Sequence, residues 1–162
     1  MQLINALKLE PGKIAPGKVK VTNVITKLIS KSDIARLKPG TTVVLVFDTD
    51  VRLTNTLKRN IENLKRFCSN VKVIFLPQVL NIEDELVKAT DVKRVQDLTK
   101  STGIENFKND FCRMKLPECR RMLERHSLDI QKLWISKVPE DFSFLKKNSN
   151  QIKLLSREKM IT

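Results

Sequence analysis

Residues 43–50, VVLVFDTD, decide the fold: five apolar residues run directly into two aspartates that are separated by one residue. An unbroken, mainly β-branched run of this length predicts a strand buried on both faces, as in a parallel sheet. Side chains two residues apart leave a strand on the same side, so Asp48 and Asp50 are expected to project together from its carboxyl end. Ligands bind at that end in open α/β sheets. The stretch therefore predicts a fold class and the place of a site.

The next residues predict a helix and a second strand. Four apolar residues recur at helical spacing after Thr54: Leu57, Ile61, Leu64 and Cys68. Residues 71–76, VKVIFL, then predict another buried strand. Strand, helix and strand of these lengths form a βαβ unit with parallel strands and a right-handed crossover.

The flanking segments predict one more strand and a helical second half. Residues 18–24, KVKVTNV, alternate between polar and apolar in the manner of a half-exposed strand. Asn81 is a suitable cap for a helix whose first turn holds the acidic residues Glu83 to Glu85. Beyond Asp91 the pattern stays helical, and Pro117 suits the first turn of a helix.

These elements predict a single domain over residues 1–162 with an α/β fold. Its short, mainly parallel sheet, flanked by helices, is expected at about residues 18–90. A helical part is expected at residues 91–136 and a basic tail at residues 137–162.

The charge of the chain predicts a polyanionic partner. Its formal net charge is +13 and its isoelectric point is about 9.9. Nucleic acid, DNA or RNA, is the partner that such an excess favours, although a solvated lysine-rich surface is the competing interpretation. Four cations on the helix of the βαβ unit are the candidate contacts: Lys58, Arg59, Lys65 and Arg66.

Other features of the composition exclude several classes. No apolar run is long enough to span a bilayer, so no membrane is expected. The three cysteines show no CxxC spacing and no signal peptide opens the chain, which indicates a cytoplasmic protein with reduced thiols. A single histidine makes a Ser-His-Asp triad improbable, and the absence of tyrosine excludes a tyrosine nucleophile.

Acidic residues follow both strands of the βαβ unit at the point where each strand ends. Asp48 and Asp50 follow the first strand, and Glu83 follows the second. Because the carboxyl ends of parallel strands share one edge of a sheet, these acids are expected to converge there. Several carboxylate oxygens are the ligands that Mg²⁺ or Mn²⁺ takes, usually with water and a substrate phosphate. The sequence thus predicts a divalent metal site.

The strand ending in VFDTD (residues 46–50), followed by LPQVLNIEDEL (residues 76–86), resembles the TOPRIM domains of OLD-type and related bacterial nucleases. The resemblance covers about residues 18–115. It implies a metal-dependent nuclease that hydrolyses phosphodiester bonds, with Asp48, Asp50 and Glu83 as catalytic metal ligands. It also implies a basic residue that contacts phosphate, and Lys108 is the candidate.

The chain departs from that family at its first motif, a strand ending in Glu-Gly that is followed by a helix. Glu10 imitates the glutamate, but seven residues between it and Lys18 are too few for the helix. The expectation is therefore that an amino-terminal strand is missing and that the nuclease is incomplete or inactive.

Two alternatives stay open. The same fold without catalysis would bind nucleic acid or a protein partner, or form a homo-oligomer, with Lys93 and Arg94 as additional cations. A haloacid-dehalogenase-like phosphatase also ends a buried strand in DxD, with a nucleophilic aspartate. Such enzymes place Thr or Val two positions after the second aspartate, whereas this chain has Arg52 there.

Overall fold

A computed structural model of the protein describes residues 2–8, 17–51 and 53–145. Its helices are α1 (Gln2–Lys8), α2 (Lys31–Ala35), α3 (Asn55–Phe67), α4 (Ile82–Ala89), α5 (Ile104–Arg113) and α6 (Leu116–Arg125), and its strands are β1 (Thr42–Asp48) and β2 (Lys72–Gln78). Short 3₁₀ helices cover Val95–Leu98, Ile130–Lys132 and Glu140–Leu145. Glu10, Arg52 and the part of the predicted tail from residue 146 onward lie outside the described residues.

The two strands confirm the predicted βαβ unit. β1 and β2 pair in parallel, from Thr42 opposite Lys72 to Asp48 opposite Gln78, and α3 forms the connection between them. Helices follow from α4 onward. The chain is therefore an α/β protein with a short parallel sheet flanked by helices and a helical second half, as the sequence predicts.

The chain divides into two compact units. Among the described residues, unit 1 contains residues 2–8, 17–21 and 82–135, and unit 2 contains residues 22–51, 53–81 and 136–145. Unit 2 holds the sheet and α3, whereas α4 lies in unit 1 although the sequence groups it with the sheet.

The core of unit 2 lies between the sheet and α3. Its buried residues include Leu45 and Phe47 from β1, and Leu57, Ile61, Leu64 and Cys68 from the α3 stripe that the sequence predicts. Phe142 stacks on Phe47 with ring centroids 5.9 Å apart, and Leu145 is buried in the same core. The segment from Val138 to Leu145, which the sequence assigns to the basic tail, thus closes the core of unit 2.

Two details of the predicted strands are wrong. In β1, Leu45 and Phe47 are buried, but Val44 and Val46 on the opposite face are only half-buried. The expected strand at residues 18–24 has no regular secondary structure. The Asn23 side chain accepts hydrogen bonds from the backbone N–H groups of Ile25 and Thr26, so the chain turns where the strand was expected to continue.

Unit 1 is a small helical assembly. α1 packs against α6, and Leu3 and Leu7 of α1 are buried. In α5, the rings of Phe107 and Phe111 stack 5.3 Å apart. Pro117 lies in the first turn of α6, as predicted. Within the described part of the chain, no helix is long and apolar enough to cross a membrane.

Candidate functional site

Thr49 fixes the carboxyl end of the sheet. It is buried, and its backbone N–H donates to the carbonyls of Gln78 and Leu80 at 3.0 and 3.3 Å. Its hydroxyl donates to the Gln78 carbonyl at 3.1 Å and accepts from the Leu80 N–H at 3.2 Å. Leu80 adopts a left-handed conformation (φ 68°), which turns the chain back toward Thr49. The loops after both strands are thereby joined.

Asp48 and Asp50 lie on either side of this buried threonine, and both are exposed. Asp48 is the last residue of β1, and Asp50 lies in the bend that follows. The exposed–buried–exposed alternation therefore continues past the end of the strand. It leaves both carboxylates accessible to solvent at the carboxyl end of the sheet in unit 2.

Glu83 and Lys108, two of the predicted site residues, form an ion pair in unit 1. The Glu83 Oε1 lies 3.4 Å from the Lys108 Nζ, with Glu83 in the first turn of α4 and Lys108 on α5. The glutamate side chain is only 13% exposed, whereas that of the lysine is 55% exposed. Asp48 and Asp50 belong to unit 2, so their convergence with Glu83 stays a prediction.

The acidic residues supply the oxygen ligands that a divalent cation takes. Among residues 2–8, 17–51 and 53–145, no group of three or more His, Cys, Asp or Glu side chains is placed to hold a metal ion. Mg²⁺ often takes only one or two protein carboxylates and fills its other positions with water and phosphate oxygens. The donor chemistry of Asp48 and Asp50 fits that pattern. Glu83 would first have to exchange the Lys108 ammonium for the ion.

Glu85 has a structural role that the sequence did not reveal. It is fully buried in unit 1, where its Oε2 accepts the backbone N–H of Trp134 at 2.7 Å. Trp134 is itself in a left-handed conformation (φ 57°). The sequence assigned Glu85 only to the acidic first turn of a helix. The carboxylate holds a turn from a distant part of the chain, which the pattern around α4 does not encode.

The predicted cations of α3 form one exposed face of unit 2, hereafter the α3 basic face: Lys58, Arg59, Lys65 and Arg66. Among the described residues, no carboxylate lies within 4 Å of any of these four side chains. Some cations of unit 1 do have carboxylate partners, as in Arg94–Asp97 at 2.8 Å and Arg120–Glu124 at 2.7 Å. The additional candidate Arg94 is thus neutralised locally.

The distribution of charge along the chain agrees with this contrast. Residues 22–81 contain ten lysines and arginines against four acidic residues, whereas residues 82–135 contain eleven against ten. The positive excess between residues 22 and 135 therefore belongs almost entirely to the sheet-bearing unit. Glu62 is the one acidic residue on α3, and it is exposed.

Two residues of α3 escape the sequence patterns. Asn60 is fully buried: it accepts from the Ile29 N–H at 2.8 Å and donates to the carbonyls of Val24 and Lys27, both at 2.9 Å. Phe67 is 53% exposed, whereas Phe47 of β1 is buried. Phe67 lies beside the apolar stripe of α3 and not within it, and this position in the sequence pattern indicates exposure.

Two of the three cysteines are buried, and the histidine contacts an aspartate. Burial raises the pKa of the Cys119 thiol to about 11, so it stays protonated at neutral pH and is a poor nucleophile. Cys68 is buried in the core of unit 2. The His126 Nδ1 lies 3.0 Å from the Asp91 Oδ1, a contact between the segments that follow α4 and α6.

Comparison of the chain with protein-family models, with curated proteins and with solved structures yields no significant match. The resemblance to TOPRIM domains therefore rests on the residues quoted above and stays a prediction.

Proposed function

We propose that the protein binds nucleic acid through the α3 basic face. The observation that carries the proposal is the exposure of four cations on one helix with no carboxylate among the described residues within 4 Å of them. A cation without a carboxylate partner is surrounded by mobile counterions in water. A nucleic acid exchanges those ions, and its own, for direct contacts with phosphate, which favours binding.

The spacing of these cations suits a repeating polyanion. Lys58 and Lys65 are seven residues apart, as are Arg59 and Arg66, so each pair lies on the same side of α3 about 10 Å apart along the axis. Lys58 is also held in place, because its Nζ lies 4.7 Å from the centroid of the Phe144 ring. An ordered cation loses less conformational entropy when it binds a phosphate.

The proposal predicts a steep salt dependence. Four phosphate contacts give a slope of log K against log salt concentration of about −3.6 for duplex DNA and about −2.8 for a single strand. Fluorescence anisotropy of labelled oligonucleotides over a range of NaCl concentrations measures this slope. A slope near zero, or no binding at low salt, would contradict nucleic-acid binding through this face.

A second candidate function is metal-dependent hydrolysis of phosphodiester bonds, and the exposure of Asp48 and Asp50 on either side of Thr49 favours it. These two carboxylates would hold Mg²⁺ or Mn²⁺ at the carboxyl end of the sheet. A bound ion would polarise a phosphoryl oxygen and activate water. The first residues of α3 follow Asp50 within a few positions, so the α3 basic face would bring a phosphate backbone close to this end of the sheet.

Removing one carboxylate is expected to abolish the metal site. Asp48→Asn replaces a charged oxygen ligand with a neutral amide, so we expect Mn²⁺ binding measured by calorimetry to disappear. Asp141→Asn, which removes an exposed carboxylate elsewhere in unit 2, is the matched control and should leave binding unchanged. Equal Mn²⁺ affinity in the wild type and Asp48→Asn would refute the site.

A nuclease assay separates the two functions. Single- and double-stranded substrates are incubated with Mn²⁺, with and without a chelator. Cleavage that depends on metal and on Asp48 supports the enzyme, whereas salt-sensitive binding without cleavage supports a binding module alone.

For either function we propose a location in the cytoplasm, where the three free cysteines, Cys68, Cys112 and Cys119, would stay reduced.

A further inference from the structure

An exposed aromatic ring stands at the carboxyl-terminal end of the α3 basic face. Phe67 is the last residue of α3 and is 53% exposed, whereas Phe47 of β1 and Phe107 and Phe111 of α5 are buried. The Arg66 Cζ lies 5.3 Å from the centroid of the Phe67 ring. The guanidinium thus lies over the Phe67 ring in a cation–π contact, and the ring still keeps 53% of its surface exposed to solvent.

The loop before β1 is linked to the residues that follow Phe67. The Cys68 thiol donates to the Lys38 carbonyl at 3.5 Å, and the Gly40 N–H donates to the Ser69 carbonyl at 2.9 Å. The loop that carries the exposed Lys38 is thus tied to the residues directly after Phe67. The backbone of this loop therefore lies beside the residues that follow Phe67.

We propose that the ligand of the α3 basic face is single-stranded nucleic acid, with one base stacked on Phe67 and the flanking phosphates held by Lys65 and Arg66. This inference rests on the proposed function and names the class of its ligand. Every base has an aromatic face, so stacking on a protein ring is tolerant of sequence. Arg66 adds a cation beside the stacked base and contacts its phosphate.

Stacking on Phe67 discriminates between single strands and duplexes. In a duplex each base is already stacked and paired, and its face is unavailable to a side chain. The cations contact phosphates in both forms. Phe67 therefore contributes to binding of single strands and contributes nothing to binding of a duplex.

The test compares Phe67→Ala with the wild-type protein. Anisotropy is measured with labelled oligothymidylate, oligouridylate and a DNA duplex of the same length. We expect Phe67→Ala to bind both single strands about tenfold more weakly, the loss of one stacked base, with less than about a twofold change for the duplex. The DNA and RNA arms should lose affinity equally, because stacking uses only the base face.

Two further variants control for loss of apolar surface and for loss of the ring. Leu53→Ala removes a side chain of unit 2 that is 78% exposed, and it should leave all three affinities unchanged. Phe67→Trp keeps an aromatic ring, so it should retain single-strand affinity, and its added tryptophan fluorescence should be quenched by oligothymidylate. Circular dichroism checks that each variant is folded.

The outcomes separate this inference from the function on which it rests. Unchanged single-strand affinity in Phe67→Ala, or an equal loss for duplex and single strands, overturns stacking on Phe67. If binding by the wild-type protein is still salt-dependent, the proposal that the α3 basic face binds nucleic acid is retained. Failure of the wild-type protein to bind any oligonucleotide overturns both.

Discussion

Replacing all four cations of the α3 basic face by glutamine is expected to weaken nucleic-acid binding about 10²- to 10³-fold at physiological salt. The reason is the loss of counterion release from four phosphate contacts, each of which contributes a similar factor. The slope of log K against log salt concentration should approach zero in the same variant. Anisotropy titrations at several salt concentrations measure both quantities.

A charge-matched pair of double variants tests whether position matters or only net charge. Lys65→Gln with Arg66→Gln should lower affinity strongly. Arg94→Gln with Arg120→Gln removes the same charge from cations that already pair with Asp97 and Glu124, and it should have little effect. Equal losses in the two doubles would mean that the protein attracts nucleic acid only through its overall charge.

A substitution of Glu62 is expected to change nucleic-acid affinity in the opposite direction. This exposed carboxylate lies on α3 between the two pairs of cations, so it repels a phosphate backbone. Glu62→Gln should therefore raise affinity by a few-fold.

The cations of the last turn, Lys65 and Arg66, also interact favourably with the dipole of α3, at about 0.3–1 kcal/mol each. The folding of all charge variants must therefore be checked by thermal melting.

Asn60→Ala is expected to lower the free energy of unfolding by about 3 kcal/mol. Alanine removes three hydrogen bonds at once and leaves the Ile29 N–H and the carbonyls of Val24 and Lys27 without their side-chain partner. Because these groups are at least partly buried, water does not fully replace the amide. Urea unfolding should show a lower midpoint with an unchanged slope.

Asn63 supplies the control for this prediction. It lies one turn further along α3, is half-buried, and takes part in none of the three bonds. Asn63→Ala removes an amide of the same size at a position where alanine is the better helix former, so stability should change by less than about 0.5 kcal/mol. A small loss in Asn60→Ala, comparable to that control, would show that the segment from Val24 to Ile29 is held by apolar packing alone.

The βαβ unit could be predicted because local patterns encode it. The apolar run of β1, the stripe from Leu57 to Cys68 and the run of β2 each have the period of their element, and a parallel crossover follows from their order. The strand expected at residues 18–24 failed for a related reason. Alternation over a few residues is weak where an asparagine side chain bonds to its own backbone, as Asn23 does.

The residues that the sequence did not single out depend on partners far along the chain. Asn60 looks like an ordinary polar residue of a helix, and only the carbonyls of Val24 and Lys27 give it a reason to be buried. Glu85 bonds to Trp134, and no pattern near either residue encodes that contact. The periodicity of the sequence shows which face of a helix or strand is apolar, but it does not show which polar groups form hydrogen bonds with each other.

The candidate site was predictable in part for the same reason. Exposure of Asp48, Asp50 and the α3 cations follows from the period of β1 and α3, so the structure and the patterns agree at these positions. The ion pair between Glu83 and Lys108 joins two helices, and no local pattern in the sequence predicts it. A metal site shared between Asp48, Asp50 and Glu83 depends on a still longer-range arrangement, and it remains a prediction.

Phe142 and Leu145 complete the core of unit 2, although residues 82–135, which belong to unit 1, separate them from the sheet along the chain. A nascent chain that has emerged only as far as Ile135 contains both strands and α3, yet it lacks the ring that stacks on Phe47. During translation, therefore, the apolar surface of the sheet stays uncovered until residues 82–135, the helical insertion between the two parts of unit 2, have been synthesised. In such a discontinuous unit, the last segment to be made controls when folding is finished, and a premature stop codon in the insertion would leave the sheet exposed to aggregation.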